Sequence, residues 1–152
     1  MSVASGYMTR RLFDIWELAR AGLPQIDIAS KLGISRQAVN QAIQEATERV
    51  TRALTETATI NKIAIESIDP FAGLLTGWSR EFSVKAVISI TRHDGMQVWY
   101  EHVADCPHCN RYSSCQAYLL RMAKEHGIRL TKEQKKVVPS KLAQVVFGMK
   151  HA

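Results

Sequence analysis

The chain has 152 residues, enough for one good core or two small ones, and its 46% apolar content is ordinary for a soluble protein. No stretch approaches the roughly 20 apolar residues that span a bilayer, and M-S-V-A-S-G-Y-M-T-R-R carries no signal-peptide core, so the expected place is the cytoplasm, with no membrane partner. Twenty Lys+Arg against 14 Asp+Glu give a net charge of +6, a mild bias toward polyanions. The charge is uneven: seven basic and six acidic residues lie in 1–60, but nine basic and two acidic in 111–152.

Thr9 can cap a first helix with Leu12, Ile15, Trp16 and Ala19 at helical spacing, and Gly22 ends it. Pro24 then opens a short helix, and Q-I-D-I-A-S-K-L-G-I-S-R-Q-A-V-N-Q-A-I over residues 25–43 is the most informative segment of the chain. Ile28, Ala29 and Leu32 form one apolar face, and Val39, Ala42 and Ile43 another. Gly33 stands where a tight turn needs positive φ, Ile34 plugs the corner, and Ser35 can cap the second helix. Left facing outward are Ser35, Arg36, Gln37, Asn40 and Gln41, whose side chains can make the single and bidentate hydrogen bonds that read base edges. This pattern resembles the helix-turn-helix of bacterial and archaeal transcription regulators. The resemblance covers residues 8–45 and implies that those five residues contact double-stranded DNA. The competing reading is a helical hairpin with no DNA role.

No stop signal follows. Val39, Ile43, Ala46, Val50, Ala53, Thr57 and Ile60 alternate steps of four and three, a heptad-like seam on a long helix. One reading packs this stripe inside its own subunit. The reading preferred here makes residues 46–67 a linking helix that joins two copies, a homodimer suited to a two-fold operator.

D-P-F-A-G-L-L-T-G-W-S from Asp69 reads as a linker or an irregular loop. Residues 83–91 and 97–103 read as two strands joined at His93-Asp94-Gly95. That hairpin comes about forty residues after the recognition helix, too late for a wing, so residues 68–152 are expected to form a small α+β domain. Trp78, Trp99 and Tyr100 most simply make core there, and His93 and His126 surface. A helix is expected over 114–126 with Gly127 as its stop. Thr131 and Gln134 have capping-box spacing, and Ser140 would cap a last helix buried through Leu142, Val145, Val146 and Met149. The fold class expected is therefore mainly α with a small α+β C-terminal domain: helix-turn-helix, long helix, then a hairpin and helices around a cysteine cluster.

All three cysteines fall in C-P-H-C-N-R-Y-S-S-C, Cys106 to Cys115, a C-x2-C-x5-C spacing that scattered core cysteines do not produce. An odd count in a cytosolic chain argues against a disulfide framework. Thiolates on a loop leading into a helix suit an iron–sulfur cluster, with His102, His108, Asp105 or an exogenous group as fourth ligand. The spacing resembles iron–sulfur transcription regulators, among them the oxygen-sensing fumarate–nitrate reduction regulators and three-cysteine repressors that sense iron or nitric oxide; the resemblance is confined to Cys106, Cys109 and Cys115. Structural zinc held by His102 and the three cysteines is the alternative. A thiol switch and no ligand at all stay open beside these.

Paired carboxylates at catalytic spacing and a Ser–His–Asp order are absent, so no enzyme is expected. The sequence points to a DNA-binding transcription regulator with a three-cysteine metal centre. A basal, polymerase-associated DNA-binding factor with a structural zinc is the alternative, with RNA polymerase as a candidate partner. A recombination accessory protein comes third.

Overall fold

The computed structural model describes residues 6–148. Three helices come first: α1 over Arg10–Arg20, α2 over Gln25–Leu32 and α3 over Arg36–Ile60. The Thr9 hydroxyl accepts the Leu12 amide at 3.2 Å, a side-chain cap that satisfies one free N–H of α1. Gly33 ends α2 at φ 66°, and the Ser35 hydroxyl accepts the Ala38 amide at 3.0 Å to start α3. Ile15, Ile28, Ala29 and Val39 form the small core beneath this corner, with Ile34 partly buried against it. The long α3 carries many threonines, which are poor helix formers. Thr47, Thr51, Thr55, Thr57 and Thr59 each return their hydroxyl to the carbonyl four residues back, so none is left unbonded.

Four strands follow, β1 over Ile63–Asp69, β2 over Leu74–Ser79, β3 over Val84–Thr91 and β4 over Gly95–Tyr100. They form one antiparallel sheet in the order β1-β2-β3-β4. The expected linker at 69–79 is thus corrected: it holds the last residue of β1, a hairpin turn and all of β2. Pro70 and Gly73 belong to that turn. Asp69 Oδ1 accepts the Ala72 amide at 3.0 Å and Gly73 takes φ 74°. The expected strand at 97–103 begins two residues earlier and stops at Tyr100.

Helices α4, Tyr112–Glu125, and α5, Pro139–Phe147, close the chain. Between them Thr131 and Gln134 cap one another reciprocally. The Thr131 amide donates to Gln134 Oε1 at 2.9 Å, and the Gln134 amide to Thr131 Oγ1 at 3.1 Å. Ser140 does not cap α5. Pro139 occupies the first turn, where its missing N–H costs nothing, and Val138 is the flanking residue. Val145, expected inside, is 41% exposed, with Ala143 buried in its place; Met149 lies outside the described residues.

The sheet lies between two helical layers. Ala86, Ile88 and Ile90 of β3 pack with Leu12, Phe13 and Trp16 of α1 and with Ala46, Val50, Ala53 and Leu54 of α3. On the other face Val87 and Trp99 pack with Leu119 and Met122 of α4 and Leu142 of α5. This arrangement corrects the preferred reading of the α3 seam at its centre, and the linking helix expected over 46–67 ends at Ile60, with residues 63–67 in β1. Ala46, Val50 and Ala53 are fully buried in their own subunit, because the overlooked strands supply the surface that a second copy was expected to provide. Removing each valine- or leucine-sized side chain of that stripe from water is worth about 1.5–3 kcal/mol, so exposing it to a partner is not a cheap alternative. Polar contacts tie the same layers together: the Arg92 guanidinium, in the β3–β4 turn, holds both Asp14 and Glu17 of α1. The fold is mixed α and β.

Candidate nucleic-acid interface and the cysteine corner

The first two turns of α3 place Ser35, Arg36, Gln37, Asn40 and Gln41 together on the outside of the molecule, and all five are exposed. Val39, between them in sequence, is fully buried. The 3.6-residue repeat separates these two sets, so one short segment both locks the corner and presents polar groups. Gly33 has φ 66° and open space where a Cβ would stand, so glycine is needed there for backbone conformation and not for room. Arg36 offers a planar fork of donors, and Gln37, Asn40 and Gln41 each offer both donor and acceptor. Ser35 accepts a backbone amide but keeps its own proton to donate. The first turn of α3 contains no acidic residue to repel a phosphate. Gln25 Nε2 donates to Asn40 Oδ1 at 3.4 Å and so orients it, a contact that sequence reasoning missed. The signal available was its place at the start of α2, one crossing away.

The cysteines sit on the far side of the sheet. Cys106 starts a short turn over Cys106–His108, is buried, and points its Sγ at Ser140 Oγ at 3.5 Å. Cys109 is exposed, and its Sγ accepts the Arg111 amide at 3.4 Å. Cys115 lies in the first turns of α4, half-buried. Burial raises its thiol pKa most; the Arg111 charge opposes this, while Cys109 and Cys106 add to it. The three thiols do not converge: among the described residues no three His, Cys, Asp or Glu side chains come together to hold a metal ion. His102, expected as a fourth ligand, donates through Nδ1 to the Tyr100 carbonyl at 2.8 Å, which leaves Nε2 as its lone-pair nitrogen. Asp105 and His108 are bound to each other at 2.7 Å, both well exposed. As folded, the corner gathers the three sulfurs into one neighbourhood without fitting them to a metal.

His126, expected at the surface, is instead enclosed where the end of α4 meets α1, and its pKa falls to about 4, first through burial and then through the Arg20 charge. Trp99 and Tyr100 join the two cores as expected, whereas Trp78 is 40% exposed. No helix among the described residues is long and apolar enough to cross a membrane.

Compared with known proteins, the chain matches no family model, no curated protein and no solved structure.

Proposed function

We propose that the protein is a sequence-specific DNA-binding transcription regulator that acts in the cytoplasm by binding and not by catalysis. One observation carries this reading: the five polar residues Ser35, Arg36, Gln37, Asn40 and Gln41 are all exposed on one side of a helix start, while Val39 between them is buried under the Gly33 corner. Arg36 is the single charge on that flank, which otherwise offers amides and a hydroxyl able both to donate and to accept. The flank would enter a major groove, with Arg36 and the amides on base edges. Lys135 and its basic neighbours in 111–152 would contribute charge without base preference.

The test is selection from randomised duplexes followed by affinity measurement. Arg36→Ala and Gln37→Ala are expected to relax preference at particular positions, each by about 1–3 kcal/mol against the wrong base, and Lys135→Ala to weaken all duplexes alike. Identical behaviour of the two sets removes the base-reading assignment. A steep salt slope with no sequence preference favours the alternative, a basal or polymerase-associated factor, which the net +7 of residues 111–152 supports.

The cysteine corner enters this proposal as a metal centre, iron–sulfur or zinc, on two supports: the C-x2-C-x5-C spacing and the backbone amide aimed at Cys109 Sγ. Closing it requires the 106–111 segment to draw in toward Cys115, with His102 Nε2 the expected fourth donor.

A further inference from the structure

Burial of Ala46, Val50 and Ala53 takes the middle of the α3 seam out of reach of a second copy and leaves Ile60 at its end exposed, next to a strand edge of the right character. Strand β1 is an edge of the sheet and is exposed along most of its length. Ile65 and Ile68 on it are 45% and 37% exposed. Beyond its two ends, Ile60 is 77% and Phe71 44% exposed. We propose that β1 pairs antiparallel with β1 of a second copy, Ile63 opposite Ile68 and Ala64 opposite Ser67, which brings Lys62, in the turn just before the strand, near the partner copy's Asp69.

The register follows from a bulge. Alignment with β2 breaks between Ile65 and Ser67, which leaves Glu66 as an extra residue. An extra residue inverts the side-chain alternation beyond it. Ile63 pairs with Ser79, and Ile68 with the buried Leu75, so both isoleucines face the α1–α3 layer. Ala64 and Ser67 pair with Trp78 and Thr76 and face the other way. In the proposed register Ile63 and Ile68, and Ala64 and Ser67, therefore meet from the same face, and the bulge residues Ile65 and Glu66 fall at the two-fold. A slip of one residue sets opposite faces against each other. A slip of two moves Lys62 away from Asp69. A bulge and a lysine ordinarily guard an edge strand against pairing. Here the bulge matches its own symmetry copy, and the lysine meets a carboxylate.

The contacts on either side agree. Both Lys62 and Asp69 are exposed, and the two-fold repeats their pair twice. The nearest carboxylate to Lys62 in its own chain is that of Glu81, at 4.0 Å in an exposed pair of little worth. Two residues further out, past the ends of both strands, the same alignment would bring the partner's hairpin tip, with Phe71, toward Ile60 in the last turn of α3. The two-fold relating antiparallel strands stands perpendicular to their sheet, so the α1–α3 layers of both copies fall on one side. Two reading heads on one side of a continuous sheet is what a two-fold operator needs. The use of the dimer rests on the proposed DNA reading; its existence does not.

The test is the mass of the full chain across micromolar concentrations by sedimentation or light scattering. A dimer is expected. Ile60→Glu changes a side chain that its own fold leaves almost free, and it should weaken association at least about tenfold, roughly 1.4 kcal/mol. Lys62→Glu and Asp69→Lys should each weaken it too, and the two together restore it, with circular dichroism and melting checking that each variant folds. A chain monomeric at every concentration, a dimer indifferent to Ile60→Glu, or a double charge reversal that fails to restore pairing overturns the proposal. Base preference retained by a monomeric protein on a single half-site would leave the DNA reading standing while the dimer falls.

Discussion

Arg20 Nη2 lies 3.4 Å from His126 Nδ1, joining the last turn of α1 to the end of α4. The guanidinium also stacks on Trp16, 4.3 Å from the ring centroid, so the imidazole is held beside a cation in a poorly solvated place.

That placement gives stability a pH dependence. Burial and the Arg20 charge lower the His126 pKa from 6.5 to about 4, with Asp69 opposing. Folding therefore expels a proton from this group between those values. Its contribution is whole above about pH 6.5 and is lost as pH falls toward 4, at no more than about 1.4 kcal/mol per unit. Melting temperature should drop across that window, and His126→Gln should flatten the drop. An unchanged slope in the variant disproves the assignment.

Two glycines should answer differently to the same substitution. Gly33 needs only its positive φ, so Gly33→Ala should cost about 1 kcal/mol, and Gly33→Asn much less, because asparagine tolerates that conformation. At Gly77 a Cβ would stand 2.3 Å from the Ala64 carbonyl oxygen, so alanine and asparagine should both part β1 from β2, at about 1–3 kcal/mol or more. Denaturant melts of the four variants check this, and equal tolerance of asparagine at both sites refutes it.

The hydroxyls of Ser89 and Tyr118 lie 2.7 Å apart under α4, with Ser89 fully buried. Tyr118→Phe should cost about 1–2 kcal/mol, because it strands a buried hydroxyl. Adding Ser89→Ala should recover part of the loss. A double variant no more stable than Tyr118→Phe alone would show that the pair is not coupled.

Purification without oxygen decides the cysteine corner. Brown protein containing iron and sulfide, or colourless protein with one zinc, is the expected result, and Cys109→Ser should abolish either. Metal-free protein that still binds DNA with full preference would remove the centre from the proposed function.

Much of the first sixty residues was legible locally. Thr9, Gly33 and Ser35 act through their own backbone neighbourhood, so the three helices and the outward set on α3 follow from spacing alone. Gly127, at φ 69°, and the Thr131–Gln134 cap were readable for the same reason. Strands β1 and β2 were not, because I-A-I-E-S-I-D breaks its own alternation at the Glu66 bulge and Pro70 and Gly73 imitate a linker.

What the sequence determined by itself is where helices begin and stop and which side chains a short amphipathic segment turns outward, since both depend on contacts within about four residues. Only the tertiary structure decided what covers each apolar face. The α3 stripe looks the same whether it meets another copy or its own sheet, and His126 looks like a surface residue until Arg20 arrives from over a hundred positions away. Burial is a property of partners brought together by the whole chain, and no local pattern names them.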